Sequence, residues 1–208
     1  KFVECYQKVF ATEPWYEWKL CPRCKKYWGI ERGVELEKGG LFHCGVQVED
    51  FWSRNRVEKD IRHEVHQDSS CWIALDRPRV IGFCWGYPVT TADLEKKLGI
   101  ALDGHLVRHF ENVQTVAYQD EIGVLFEYRK RGLARQMFQN RLSDFLSQGL
   151  NVGVVRTREH PEPSVTFSWF TSQLGYKIIA RYPDNDGRVI LAGNLNHVRS
   201  LLGKEKPQ

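Results

Sequence analysis

The sequence predicts a mixed α/β (α+β) domain, with strands and helices alternating around an apolar core and a small metal-knuckle-like insertion near the start. Three observations point there. Residues 116–147 read as a strand, a basic turn and an amphipathic helix. Apolar runs of strand length at 71–75, 80–87, 151–157, 177–182 and 188–192 are separated by helical or turn patterns. Cys21-Pro22-Arg23-Cys24 is followed by His43-Cys44-Gly45 at metal-site spacing.

The chain has 208 residues, room for one domain with a full core plus an insertion. Its 42% hydrophobic and 27% charged content is that of a soluble globular protein. A net charge of +4 is too mild to argue for nucleic acid. No apolar run approaches the ~20 residues of a membrane span. No signal-peptide pattern is seen, so a cytoplasmic protein is expected. The six cysteines lack the spacing of a secreted disulfide scaffold and read as metal ligands or buried thiols. The chain begins at Lys1, not at methionine, which suggests that a few N-terminal residues lie outside it.

The central stretch runs from Val124 to Ala134. A strand over Val116 to Phe126 leads through Arg129-Lys130-Arg131 into a helix entered at Gly132. Leu133, Met137, Phe138, Leu142, Phe145 and Leu146 form its apolar stripe, and Gly149 suits its C-terminal cap. The first N–H groups of a helix lack intrahelical partners and carry the positive end of its dipole, so they bind anions. Gly132 lets a phosphate approach the backbone, Ala134 keeps the next turn small, and Arg129, Lys130, Arg131 and Arg135 add positive charge. A phosphate-bearing ligand is expected here.

In chain order, Val3, Tyr6, Val9 and Phe10 have helical spacing, and that helix should stop near Glu13-Pro14. Residues 48–67 predict a second helix with Phe51, Trp52, Val57, Ile61 and Val65 inward. Two strands follow around Asp76-Arg77-Pro78, with Cys71 and Cys84 read as small core residues. Thr91–Leu98 predicts a short helix closed by Gly99, and 100–113 a loop holding His105 and His109. Phe167–Leu174 reads as a helix. The last two strands form a hairpin around Asp184-Asn185-Asp186-Gly187.

The insertion at 21–45 has zinc-ribbon spacing. It is poor in apolar residues, so a bound metal would supply what burial does not. A standard ribbon has a second C-x-x-C, and here Leu41 stands where its first cysteine would be. Cys21, Cys24 and Cys44 therefore lead the zinc ligands, with His43 the nearest fourth and Cys5, His63 and His66 as alternatives in space.

Arg129-x-x-Gly132-x-Ala134 resembles the Arg/Gln-x-x-Gly-x-Gly/Ala motif of the GNAT acetyltransferase superfamily. Glu127-Tyr128-Arg129 matches its common Pro-Glu-Tyr-Arg run, with Phe126 where proline is usual, and Leu174-Gly175-Tyr176 suits its downstream motif. The resemblance covers residues 1–20 and 46–195, leaving 21–45 as the insertion and 196–208 as a C-terminal tail. It implies a GNAT-type acyl-CoA N-acyltransferase fold, a mixed and mostly antiparallel sheet flanked by helices. Such proteins usually carry a strand before the first helix; this sequence has almost no room for one, so that strand is expected to be missing, removed or outside the given sequence.

The resemblance implies that the turn, Arg129 and Arg131 to Arg135, with Leu133 and Ala134 among them, holds the pyrophosphate of acetyl-CoA. The pantetheine arm would pair with the backbone of Val124, Leu125 and Phe126. An amine acceptor, small molecule or protein, would attack the thioester directly. Glu121 is the leading general base, with Asp120 its neighbour; alternation lets only one face the cleft. The tyrosine that many relatives use as acid is replaced by Thr171, leaving Tyr118, Tyr128 or water for that step, or a reaction that needs no acid. No membrane partner is expected. Nucleic acid would enter only through the insertion, which lacks a dense basic and aromatic stripe. The alternative is a ribbon that binds protein or RNA on a GNAT-like scaffold which binds acyl-CoA without efficient catalysis.

Overall fold

The computed structural model describes residues 1–110, 113–160, 163–183 and 187–204. The chain divides into two compact units. One comprises Lys1–Glu64, Ile73–Phe83 and Ile122–Ala134; the other comprises Val65–Trp72, Cys84–Glu121 and the chain from Arg135 onward.

The first unit opens with α1 (Phe2–Ala11), whose Val3, Cys5, Tyr6, Val9 and Phe10 are buried at helical spacing. Tyr6 stacks on Phe83 and meets Trp52 edge-on, each at 5.4 Å between ring centroids. The insertion follows. β1 (Lys19–Leu20) pairs with β2 (Tyr27–Trp28), α2 (Val34–Lys38) follows, and β3 (Phe42–His43) pairs with β4 (Val46–Gln47). β5 (Glu49–Asp50) returns to the other edge of β1, so the small sheets run from Lys19 to Asp50, wider than 21–45. Cys21, Leu36 and Val48 are buried together, with Trp28, Leu41 and Val46 against them. The insertion thus has a small apolar core that its composition had not suggested.

The next helix is shorter than its periodicity predicts. α3 spans Arg54–Glu64 and buries only Val57. Glu49 and Asp50 are held extended by β1, and Ser53 Oγ accepts the Arg56 N–H at the helix start. Tertiary pairing and a cap therefore override the apolar spacing of Phe51 and Trp52.

β6 (Ser70–Asp76) and β7 (Arg79–Thr90) follow as predicted, but Cys71 is exposed on the edge strand while Cys84 is buried. α4 (Thr91–Leu98) has its predicted bounds: Thr90 Oγ1 accepts the Asp93 N–H, and Gly99 ends it at φ +67. The predicted loop contains α5 (Asp103–Leu106), with Leu102 and Leu106 buried. β8 (Thr115–Val124), α6 (Leu133–Ser147), β9 (Val152–Arg158), α7 (Val165–Ser172), β10 (Lys177–Arg181) and β11 (Arg188–Asn194) complete the sheet order β10-β11-β9-β8-β7-β6. β10–β11 and β11–β9 are antiparallel, and β8–β9 is parallel. The turn residues 184–186 lie outside the described residues.

Residues 195–204, nearly all expected as tail, form α8 (Leu195–Lys204), which buries Leu195, Val198 and Leu202; 205–208 lie outside the described residues. The second unit's core joins Leu94, Leu98, Leu102 and Leu106 to Val116, Tyr118, Val152, Val154 and Ile190. No helix among the described residues is long and apolar enough to cross a membrane.

Candidate active site and metal-ligand cluster

The strand expected through Phe126 stops at Val124. The Leu125 N–H still reaches Ile81 O at 2.9 Å, and then Phe126–Tyr128 form a 3-10 turn that leaves Phe126 exposed. That turn bends the chain before the helix. Lys130 and Gly132 both have positive φ, +60 and +77. At Gly132 a Cβ would meet nothing within 4 Å, so the requirement for glycine is conformational and the space beside it is open. α6 begins at the next residue, Leu133, with Ala134 and Arg135 in its first turn.

The basic residues divide by role. Arg129 gives hydrogen bonds to Val124 O (3.2 Å), Glu13 O (3.1 Å) and Thr12 Oγ1 (3.3 Å), fastening the turn to the end of α1. Its pKa is lowered, chiefly by burial. Arg135 is held by Leu202 O at 3.1 Å. Arg131 and Lys130 are exposed at the turn itself, Arg131 over the Tyr128 ring at 5.0 Å. Backbone groups of the predicted pantetheine segment are also in use: Leu125 O accepts from Tyr128 N–H, and Phe126 O from Arg129 N–H. A carbonyl has a second lone pair, so these positions can still accept from an amide.

Upstream, β8 parts from β9. Their parallel ladder comprises Ala117↔Gly153 and Tyr118↔Val154, whereas β9 stays paired with β11 as far as Arg158↔Arg188. Asp120 and Glu121 lie beyond the last β8–β9 pair. Alternation sends Tyr118 and Asp120 to one face and Gln119 and Glu121 to the other. Asp120 Oδ2 accepts from Lys97 Nζ at 2.8 Å and from Tyr87 Oη at 3.1 Å. On the opposite face Arg141, 1% exposed, donates to Trp85 O (2.8 Å), Glu121 O (2.9 Å) and Gln119 Oε1 (3.0 Å). Gln119 Nε2 donates to Tyr176 Oη. Desolvation pulls Arg156 on β9 downward, yet Tyr118, Tyr182, Asp120 and Glu121 together hold its pKa above the ordinary value.

The tyrosines offered for the acid step are engaged. Tyr118 is buried, which raises its hydroxyl well above its usual range, and Tyr128 Oη donates to Asp76 Oδ2 at 2.6 Å. Thr171 Oγ1 donates to Phe167 O at 2.8 Å, one turn back in α7.

The insertion brings its four predicted ligands together. The Cys21, Cys24 and Cys44 sulfurs and a His43 ring nitrogen all lie within 4.8 Å of one another. His43 Nδ1 is 3.6 Å from Cys24 Sγ and 3.1 Å from Cys44 Sγ. Tetrahedral zinc with Zn–S ~2.3 Å and Zn–N ~2.0 Å separates its donors by roughly 3.5–3.8 Å. Adjacent ligands are accommodated because Cys44 and Gly45 both take positive φ, +53 and +74, reversing the chain right after His43. The Cys21 thiol is lowered to about 6, first by the Cys24 backbone N–H, with His43 also contributing, which favours the thiolate a metal needs. Cys5 stands apart on α1, where burial pushes its thiol up to about 11.

Arg141, Lys97, Tyr87 and Gln119 escaped the sequence reading. Arg141 falls among polar residues of α6, and Lys97 in the basic last turn of α4, where solvated side chains are the ordinary expectation.

A strand that leaves its parallel neighbour and turns through a left-handed glycine into a helix is the arrangement that the sequence resemblance implies for a coenzyme-A-dependent acyltransferase. The acetyltransferase (GNAT) family model matches residues 43–167, more than half of the chain, and the chain belongs to that family. Among solved structures it is similar to the PaiA N-acetyltransferase of Thermoplasma acidophilum in complex with coenzyme A, at 11% identity, 92% of each chain and a TM-score of 0.52. It is also similar to a structure described as a bacterial toxin, at 15% identity, 74% of this chain, 82% of that one and a TM-score of 0.51. These likenesses concern the fold. No curated protein sequence matches the chain.

Proposed function

We propose that the chain transfers the acetyl group of acetyl-CoA to a primary amine by direct attack on the thioester. The carrying observation is the Gly132 turn at the start of α6, with φ +77 and open space beside it. The pyrophosphate lies on the N–H groups of Gly132, Leu133, Ala134 and Arg135, with Arg131 beside it and Arg129 holding the turn in shape. The pantetheine arm follows Val124, Leu125 and Phe126, and the thioester lies along β8 where β9 has parted from it. The amine's N–C bond forms as the C–S bond breaks. Glu121, its backbone fixed by Arg141, takes the amine proton directly or through one water. Coenzyme A leaves as the thiolate and is protonated by solvent.

The cysteine–histidine cluster holds one zinc ion through Cys21, Cys24, His43 and Cys44. Three thiolates and an imidazole form a closed structural set with no position left for a substrate. The cytoplasm is the compartment that suits reduced ligand thiols. The test of the transferase reading is a panel of amines with acetyl-CoA, read as free coenzyme A by chromatography. Release that depends on an amine supports it. Tight acetyl-CoA binding with no release for any amine favours the non-catalytic scaffold.

A further inference from the structure

The polar chain behind β8 does more than fasten the Glu121 backbone. Arg141 carries only donors, so the oxygen of the Gln119 amide faces it and the NH2 end faces away. That end donates to Tyr176 Oη, and Gln119 and Tyr176 are each 3% exposed. The two side chains form a buried clasp with a fixed direction of hydrogen bonding.

The sheet is cut away beneath it. Ala117, Gly153 and Gly193 lie side by side in register on β8, β9 and β11. A Cβ at Gly153 would stand 2.5 Å from both Gln119 Nε2 and Tyr176 Oη. One at Gly193 would stand 2.7 Å from the Tyr176 ring. Two glycines therefore make room for a phenol ring and an amide where larger residues would clash. The Tyr176 ring is backed edge-on by Phe170 at 4.8 Å, and the Tyr176 N–H donates to Phe170 O at 3.0 Å.

Gln119 is the first residue of β8 beyond its last pair with β9, Tyr118↔Val154. The clasp thus lies across the vertex of the fork, joining β8 to the side chain that covers Gly153 of β9. The geometry points to the Gln119–Tyr176 clasp as the stop that limits the length of the acyl chain. This rests on the transferase reading, in which the thioester lies along β8 where β9 has parted from it. The acyl group extends from there towards the vertex. An acetyl group is short enough to end before the Gln119 amide. Added methylenes push into an amide tied at both ends, and such overpacking is unfavourable. Gln119 and Tyr176 thereby set the choice of acyl donor and leave proton transfer to Glu121.

The probes are coenzyme A, acetyl-CoA and butyryl-CoA, titrated by calorimetry without an amine. Coenzyme A has no acyl group and is the reference in each protein. The parent should bind butyryl-CoA at least about tenfold more weakly than acetyl-CoA. Gln119→Ala opens room over Gly153 and should raise butyryl-CoA affinity, relative to coenzyme A, at least about tenfold, as two buried methylenes allow. Gln119→Leu, similar in bulk to the parent, should still reject butyryl-CoA. A general loosening of the fold would move all three ligands alike. Because Gln119→Ala leaves Arg141 short of an acceptor and can unfold the chain, the parent gives a second readout. The side-chain amide proton signals of Gln119, identified by their loss in Gln119→Leu, should shift more with saturating acetyl-CoA than with coenzyme A. Four results overturn the stop: a parent that binds butyryl-CoA as tightly as acetyl-CoA, an unchanged ratio in folded Gln119→Ala, a Gln119→Leu that admits butyryl-CoA, or an amide signal indifferent to the acyl group. Coenzyme A tells the two readings apart. If the parent binds it while the stop fails, only the stop falls; if the parent binds none of the three, the transferase reading falls with it.

Discussion

The ribbon and the sheet unit reach order by different routes. The ribbon has strands of two residues and only Cys21, Leu36 and Val48 buried at its centre. The sheet unit buries residues from α4, α5, β7, β8, β9, β10 and β11 in one cluster. Burying a Leu or Val stabilises by ~1.5–3 kcal/mol, whereas a structural zinc supplies ~10–16 kcal/mol. A zinc ion bound as proposed would therefore outweigh burial in the first region, whereas burial carries the second. Polar residues follow the same division. The insertion gathers Cys21, Cys24, His43 and Cys44 against one another, while the sheet unit spends Arg141 on the carbonyls of Trp85 and Glu121.

The largest expected effect breaks that contrast at the ribbon. Cys21→Ser with Cys24→Ser should lower metal content from about one zinc per chain to none and expose ribbon amides to hydrogen exchange, with the sheet amides still protected. A ribbon that stays protected without metal would show that its small core suffices.

In the sheet unit, Arg141→Met should cost about 3 kcal/mol in chemical denaturation, because it strands two carbonyls and the Gln119 amide, at ~1–3 kcal/mol for each unsatisfied group. Zinc content should be unchanged. A loss below about 0.5 kcal/mol would mean that water replaces the guanidinium.

Glu121→Gln should slow turnover by roughly a hundredfold with little change in acetyl-CoA affinity. The parent loses rate on the acid side as the amine becomes protonated. The variant should recover partly at high pH, where the amine is already neutral. Full turnover in Glu121→Gln, with the loss moved to Asp120→Asn, would transfer the base role one residue back.

The smallest effect concerns two cysteines that read alike. Exposed Cys71 should alkylate in the native protein, whereas Cys84, pushed up to about 11 by burial, should react only on unfolding. Equal labelling in native buffer would mean that β7 opens locally.

Much of this is legible in the chain. The bounds of α4 follow from Thr90, Leu94, Leu98 and Gly99, and the Gly132 turn from its glycine and flanking periodicity. The four metal-ligand candidates stand together as their spacing suggested. Other features depend on distant partners that local patterns do not encode. α3 is short because β1 holds Glu49 and Asp50 extended. Cys71 is exposed because its strand is at the sheet edge. Lys97 and Asp120 are 23 residues apart and meet only through the fold. Phe126 leaves the strand because Leu125 O and Phe126 O turn back to bond the next N–H groups.

The central claim is that the Gly132 turn carries the pyrophosphate of acetyl-CoA. Gly132→Glu places a carboxylate and a side chain at a φ of +77, where the anion would sit. Titration calorimetry with acetyl-CoA, on parent and variant of matching circular dichroism and zinc content, tests it directly. Saturable binding by the parent and none by the variant is the predicted result. Equal affinity in both would contradict it.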